Sequence, residues 1–216
     1  SRFYAGRNAP VVAHLENWVR DGFSAVPRAP VPTYLWGDSG SGKTHLLKAV
    51  REMLREQGAQ VGWMDASTGF PPEFDERWSA VVMDDVQLYT PMQQARAFNW
   101  FVNAINPPSG SPCWILSAGD APPAAMEVRD DLRSRLGWGH VFQLHVPNEQ
   151  ERREVLKTEA AARGVTLSAD VVDYMLKRFS RDLASLMQLL DMLDEFALRN
   201  KRAITIPLLK TMLETE

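Results

Sequence analysis

Eight consecutive residues, Gly37-Asp38-Ser39-Gly40-Ser41-Gly42-Lys43-Thr44, constrain this chain more than any other stretch. They satisfy the pattern G-x-x-x-x-G-K-[ST] at every fixed position. Three glycines let the backbone turn tightly and approach a ligand where a Cβ would collide. The exposed N–H groups then converge on an anion, and a helix beginning near Gly42 turns its positive end to the same place. In this pattern the lysine, Lys43, reaches the β- and γ-phosphates, and the hydroxyl of Thr44 ligates Mg²⁺. The flanks fit: Val31 to Trp36 is a short β-prone apolar run, and Leu46, Leu47, Val50 and Leu54 follow at helical spacing. A merely flexible Gly/Ser turn explains neither the Lys-Thr pair nor these flanks.

The chain ahead of the loop reads as a helix, with Asn8 as its cap and Pro10 in its first turn. Prolines 27, 30 and 32 stiffen the link to the first strand. Beyond the loop, Gly58 closes the helix, Gln60 to Asp65 reads as a second strand and residues 68–73 as a loop. Ala80-Val81-Val82-Met83-Asp84-Asp85 reads as a buried parallel strand with an acidic C-terminal end. Beside a phosphate loop, the first carboxylate, Asp84, is the candidate to hold the metal together with Thr44. Asp85 stands where a water-orienting acid belongs; being one methylene shorter than Glu, it predicts slow intrinsic hydrolysis. Pro91 opens a helix that ends before the Pro107-Pro108-Ser109-Gly110 turn. Pro112 to Ser117 and Val141 to Val146 read as further strands. Asp120 and Ser117, at the edge of the fourth strand, are candidates to sense a γ-phosphate, and Asp120 serves equally as a helix cap. Strand–helix alternation without hairpin signals predicts an α/β unit over residues 1–146, a five-stranded parallel sheet between helical layers. From Pro147 to Glu216 every signal is helical, predicting a small bundle of about 70 residues.

Composition narrows the function classes. The 216 residues carry a formal net charge of −3 without a dense basic block, which argues against a dedicated nucleic-acid surface. Cys113 is the one cysteine, so an intrachain disulfide and a cysteine-built zinc site are excluded and a reducing cytoplasm is expected. No apolar run approaches the ~18 residues of a membrane span. Two arginines outside the loop matter. Arg135, before the last strand, is a candidate finger offered to a neighbouring molecule; the competing reading pairs it with Asp130 or Asp131 on the surface. Arg181, at the start of the bundle's long helix, stands where a basic residue is electrostatically misplaced.

Taken together, the phosphate loop, Asp84-Asp85-Val86-Gln87, Ser117-Ala118-Gly119-Asp120 and Leu132-Arg133-Ser134-Arg135-Leu136, followed by a helical lid, resemble the AAA+ ATPases of the DnaA clade. Gly137-Trp138-Gly139, Leu176-Lys177-Arg178-Phe179-Ser180-Arg181, Ala203-Ile204-Thr205-Ile206-Pro207 and Phe3-Tyr4-Ala5-Gly6-Arg7-Asn8 resemble the Hda family of DnaA-related regulatory inactivators. The resemblance implies an AAA+ three-layer αβα domain with a lid. It implies Arg135 as an arginine finger acting in trans, Arg181 as the second sensor and Asp120 as the first. Phe3, Tyr4 and Asn8 would border an adenine, with ADP or ATP and Mg²⁺ as cofactors. It implies as partners the initiator DnaA, whose bound ATP is hydrolysed on contact, and the sliding clamp of DNA polymerase III; a second copy of the chain is a candidate too. The family's Gln-Leu-Leu-Pro-type clamp-binding peptide does not occur in this sequence, nor does a helix-turn-helix DNA-binding domain. Two other readings stay open: an initiator or helicase-loader core that turns over ATP itself, and a non-catalytic ADP-bound adaptor.

Overall fold

The computed structural model describes residues 6–21, 31–107, 110–111, 113–179, 183–200 and 202–214. The chain divides into two compact units, Ser1–Val146 and Pro147–Glu216.

The first unit is built on a five-stranded sheet. Its strands are β1 (Thr33–Trp36), β2 (Gln60–Met64), β3 (Trp78–Met83), β4 (Trp114–Gly119) and β5 (His140–Gln143). They lie in the order β2-β3-β4-β1-β5, and every neighbouring pair is parallel. Parallel neighbours need crossovers: α2 (Lys43–Glu56), α3 (Pro91–Ile105) and the short α4 (Asp130–Leu136) supply three, a loop over residues 65–77 joins β2 to β3, and α1 (Ala9–Asp21) packs ahead of β1. Alternation along β1 shows how the layers form. Tyr34 points into a core with Trp100, Phe101, Leu132 and Leu136 from α3 and α4, whereas Leu35 points to the opposite core with Leu15, Trp18, Leu47 and Val50 from α1 and α2. A sheet with both faces covered accounts for the near-continuous apolar run of β3, where Ala80 to Met83 are fully buried.

Several strand ends differ from the periodic reading by one to three residues, and two of them matter for the site. β4 runs on to Gly119 rather than stopping at Ser117. β5 stops at Gln143 rather than Val146, because β1 ends at Trp36 and the chain then turns away into the phosphate loop, leaving residue 145 no strand to pair with. Its backbone is satisfied instead by Asn8, whose side-chain amide donates to the carbonyl of His145 at 3.0 Å and accepts from its N–H at 2.9 Å. The expected helix-capping amide of Asn8 is thus turned to the end of the sheet.

The second unit has four helices among the described residues: α5 (Glu149–Ala162), α6 (Ala169–Arg178), α7 (Leu183–Asn200) and α8 (Ile206–Glu214). Asn148 and Glu151 form a reciprocal capping box that starts α5. Leu156, Val172, Met175, Leu186, Leu190 and Leu209 close one apolar core between the helices. Arg163 ties α5 to α7 through Asp191 at 2.8 Å. No helix among the described residues is long and apolar enough to cross a membrane.

Candidate functional site: a phosphate cradle and an outlying arginine

β1 delivers its C-terminal end straight into the loop, and α2 begins at Lys43. Gly40 and Gly42 have φ of 80° and 96°, a region that costs a side-chain-bearing residue energy and glycine little. Gly37 is required for a different reason: a Cβ there would lie 2.2 Å from the carbonyl oxygen of Leu144, just beyond β5. Leu144 in turn donates its N–H to Trp36 at 2.7 Å, so β5 braces the start of the loop. Ser41 is buried, and its hydroxyl has no hydrogen-bond partner. An orphaned buried hydroxyl costs free energy unless a ligand completes it.

Lys43 is buried among these turns and donates to the carbonyls of Gly37 at 2.6 Å and Asp38 at 3.1 Å. Asp38 and Ser39 are exposed at the lip of the loop. Thr44, on the first turn of α2, hydrogen-bonds the carboxylate of Asp84. Asp84 is buried directly after β3, its N–H donating to Met64 at 2.8 Å. Burial raises its pKa, and the Thr44 bond only partly offsets that. Such a buried carboxylate gains from a cation at its side. Among the described residues no cluster of three or more His, Cys, Asp or Glu could hold a metal. A cation beside Thr44 and Asp84 would therefore take most of its ligands from phosphate and water, as Mg²⁺ commonly does.

Asp85 has a φ of 50°, the one positive value among described non-glycine residues. Its N–H donates to Asp84 Oδ1 at 3.0 Å, and its carboxylate accepts from Gln87 at 3.1 Å. The consecutive carboxylates thus have different partners, Thr44 for Asp84 and Gln87 for Asp85. Two further groups at this sheet edge escape sequence reasoning. Tyr89 is buried with its hydroxyl donating to Met64 at 2.8 Å; burial first, then nearby Asp84, Asp65 and Asp85, push its pKa up. Gln93 donates to the carbonyl of Thr68 at 2.8 Å and to that of Asp65 at 3.2 Å, and so fixes the loop after β2. Only tertiary contact reveals either role.

Asp120 is exposed just past β4, close enough to Tyr34 to add to the burial that raises the tyrosine's pKa. Ser117 is buried, its hydroxyl donating to Thr33 at 3.5 Å. Phe3, Tyr4 and Arg181 lie outside the described residues.

Arg135 is in the last turn of α4. The two acids that compete for it are taken: Arg133 binds Asp130 at 2.5 Å and Arg129 binds Asp131 at 2.6 Å. Arg135 itself stacks on the indole of Trp138, 4.5 Å from the ring centroid, and has no carboxylate partner among the described residues.

Comparison with known proteins places the fold and the second unit among known relatives. Residues 149–213 match the family model of the Hda lid domain. The second unit of the chain is thus similar to the lid domain of the Hda family. The fold of the chain is similar to that of domain III of the Thermotoga maritima initiator DnaA, with a TM-score of 0.71 at 19% identity, covering 96% of this chain and 91% of that one. AMPPCP-bound DnaA of Aquifex aeolicus matches with a TM-score of 0.67 at 21% identity, over 90% of this chain and 64% of its own. The chain thus spans less than two thirds of that longer initiator. The Thermotoga maritima RuvB Holliday junction branch migration motor matches at 0.63 and 14% identity, over 96% of this chain and 67% of its own. At these identities the structural neighbours establish the fold of the chain, one it shares with DnaA and RuvB.

Proposed function

We propose that this chain is a nucleotide-switched negative regulator of DNA replication initiation. Holding ADP, it joins the DNA-loaded sliding clamp and stimulates hydrolysis of ATP bound to DnaA, supplying Arg135 as the finger. The observation that carries the reading is the state of Arg135, stacked and half-exposed with neighbouring acids neutralised by other arginines. A guanidinium already locked to a carboxylate would have to break that bond before meeting a phosphoryl group.

The cradle supports the nucleotide half of the proposal. Loop N–H groups would bind a diphosphate, with Lys43 re-aimed from the Gly37 and Asp38 carbonyls to phosphate oxygens. Thr44 and Asp84 would hold Mg²⁺, which offsets phosphate charge when bound. The side chain of Asp85 is short and engaged with Gln87, which fits weak turnover by the chain itself. The AMPPCP in its DnaA neighbour supports an adenine nucleotide as the ligand class.

The deciding experiment measures hydrolysis of DnaA-bound ATP in the presence of DNA-loaded clamp. Arg135→Ala is expected to lower the stimulated rate by ~10³ or more, the scale of a lost arginine finger. Its own ADP affinity, read by calorimetry, should not change. Full stimulation by the variant overturns the assignment, and a large loss of ADP affinity would instead place Arg135 at the chain's own nucleotide.

A further inference from the structure

The segment that presents Arg135 is more closely built than a surface arginine requires. After α4 the N–H of Trp138 donates to the carbonyl of Arg135 at 3.0 Å, folding the chain back on itself. One residue later the backbone is pinned to the sheet: a Cβ on Gly139 would lie 2.0 Å from the carbonyl oxygen of Pro32, and His140 donates to that same oxygen at 2.9 Å. Trp138 is therefore held on both sides by backbone contacts. The residue is nonetheless 57% exposed and belongs to no apolar core of the unit. What the ring touches is the guanidinium of Arg135, face-on at 4.5 Å. Both side chains line an open hollow of about 330 Å³ with Phe98, Ser134 and Asp131. Asp131 cannot draw Arg135 away cheaply, since its Oδ2 is held by Arg129 at 2.6 Å and its Oδ1 accepts from Leu132 at 2.7 Å.

A single exposed indole is ordinary; what sets this one apart is a backbone fixed on both sides and a ring whose contact is the Arg135 guanidinium. We infer that Trp138 is a positioning residue for the finger: its π-face holds the Arg135 guanidinium extended, within reach of a neighbouring molecule's triphosphate. Arginine has several freely rotating torsions, and ordering them at the moment of contact costs entropy. Stacking lets the free protein meet that cost beforehand, so the gain falls on the chemical step rather than on docking. An exposed cation–π pair is worth ~0.5–1 kcal/mol, which predicts roughly a 2- to 5-fold effect on rate.

This inference rests on the finger assignment, and the test separates the two. Stimulated hydrolysis of DnaA-bound ATP is titrated against this chain for wild type, Arg135→Ala, Trp138→Leu and Trp138→Phe. The expected result is loss of stimulation in Arg135→Ala and a roughly 2- to 5-fold lower maximal rate in Trp138→Leu at unchanged half-saturating concentration. Trp138→Phe, which keeps a π-face, should recover part of that rate, and thermal melts of the Trp138 variants should match wild type. If Arg135→Ala abolishes stimulation while Trp138→Leu keeps the full maximal rate, positioning is wrong and the finger stands. A shift in half-saturation alone, a lowered melt or no recovery by phenylalanine makes Trp138 a docking or structural residue and equally overturns it. Full activity of Arg135→Ala removes the finger and the positioning role together.

Discussion

Replacing Lys43 by methionine keeps the aliphatic stem and deletes the ammonium. In the wild type Lys43 is only 8% exposed and its ammonium donates to two loop carbonyls at 2.6 and 3.1 Å. A hydrogen bond from a charged donor is worth ~1.5–3 kcal/mol, so two of them turned onto phosphate contribute about 3–6 kcal/mol. At 1.4 kcal/mol per tenfold, Lys43→Met should weaken ADP by about 10²–10⁴. Calorimetry with Mg²⁺ and ADP reads this directly. A melt provides the second reading. At a ligand concentration 100 times Kd, wild type gains ~2.7 kcal/mol, or about 5–11 °C for a chain of this size. At the same ADP concentration the variant should gain under about 0.4 kcal/mol. The nucleotide-free melts must be compared too, because the variant also strands the Gly37 and Asp38 carbonyls. A folded variant that binds ADP within threefold of wild type refutes the reasoning that the loop is a phosphate cradle served by Lys43.

Two further outcomes follow from buried polar groups at the same sheet edge. The folded pKa of Asp84 is raised above its ordinary 3.8 by burial, so the native state binds the proton more tightly than the unfolded chain; stability falls as pH rises from that value through the folded pKa. Asp84→Asn should therefore raise the melting temperature of nucleotide-free protein at pH 7 and erase the difference at low pH; thermal melts from pH 4 to 8 that show the variant less stable at neutrality would contradict this. Gln93→Leu leaves the Thr68 carbonyl and the Thr90 N–H without their 2.8 Å partners, which should cost about 2–4 kcal/mol in urea unfolding, and a change under ~0.5 kcal/mol would show that water replaces the amide.

Much of this architecture is legible along the chain. Glycine spacing marks the turn at residues 37–42, apolar runs mark the parallel strands, and helical periodicity after Pro147 marks the bundle. These signals are local, depending on residues within a turn or two of each other. The rest is not local. Asn8 reads as a cap because capping is what an asparagine before a helix does, yet its partner lies 137 positions away. β5 is shorter than its apolar pattern because the strand beside it ends. The helix carrying Arg135 is too short for any period to appear. Spacing also leaves Arg133 and Arg135 equivalent claimants on Asp130 and Asp131, and only side-chain geometry separates them. Tyr89 and Gln93 are not legible in these roles, since Tyr89 acts on the last carbonyl of β2 and Gln93, though it also completes a capping box with Thr90, acts on carbonyls of the loop that follows.

The amide of Asn8 has a consequence for how the protein is made. Its partner is synthesised 137 residues later, which at 5–20 residues per second is roughly 7 to 27 s of translation. Through that interval the Asn8 amide lacks its partner, although α1 behind it can already pack on α2, and joining the ends of so long a loop costs entropy. The nascent α/β unit is thus sealed by the last residues of its own sheet. A chain interrupted before residue 145 would carry every strand and still leave the Asn8 amide without its two hydrogen bonds.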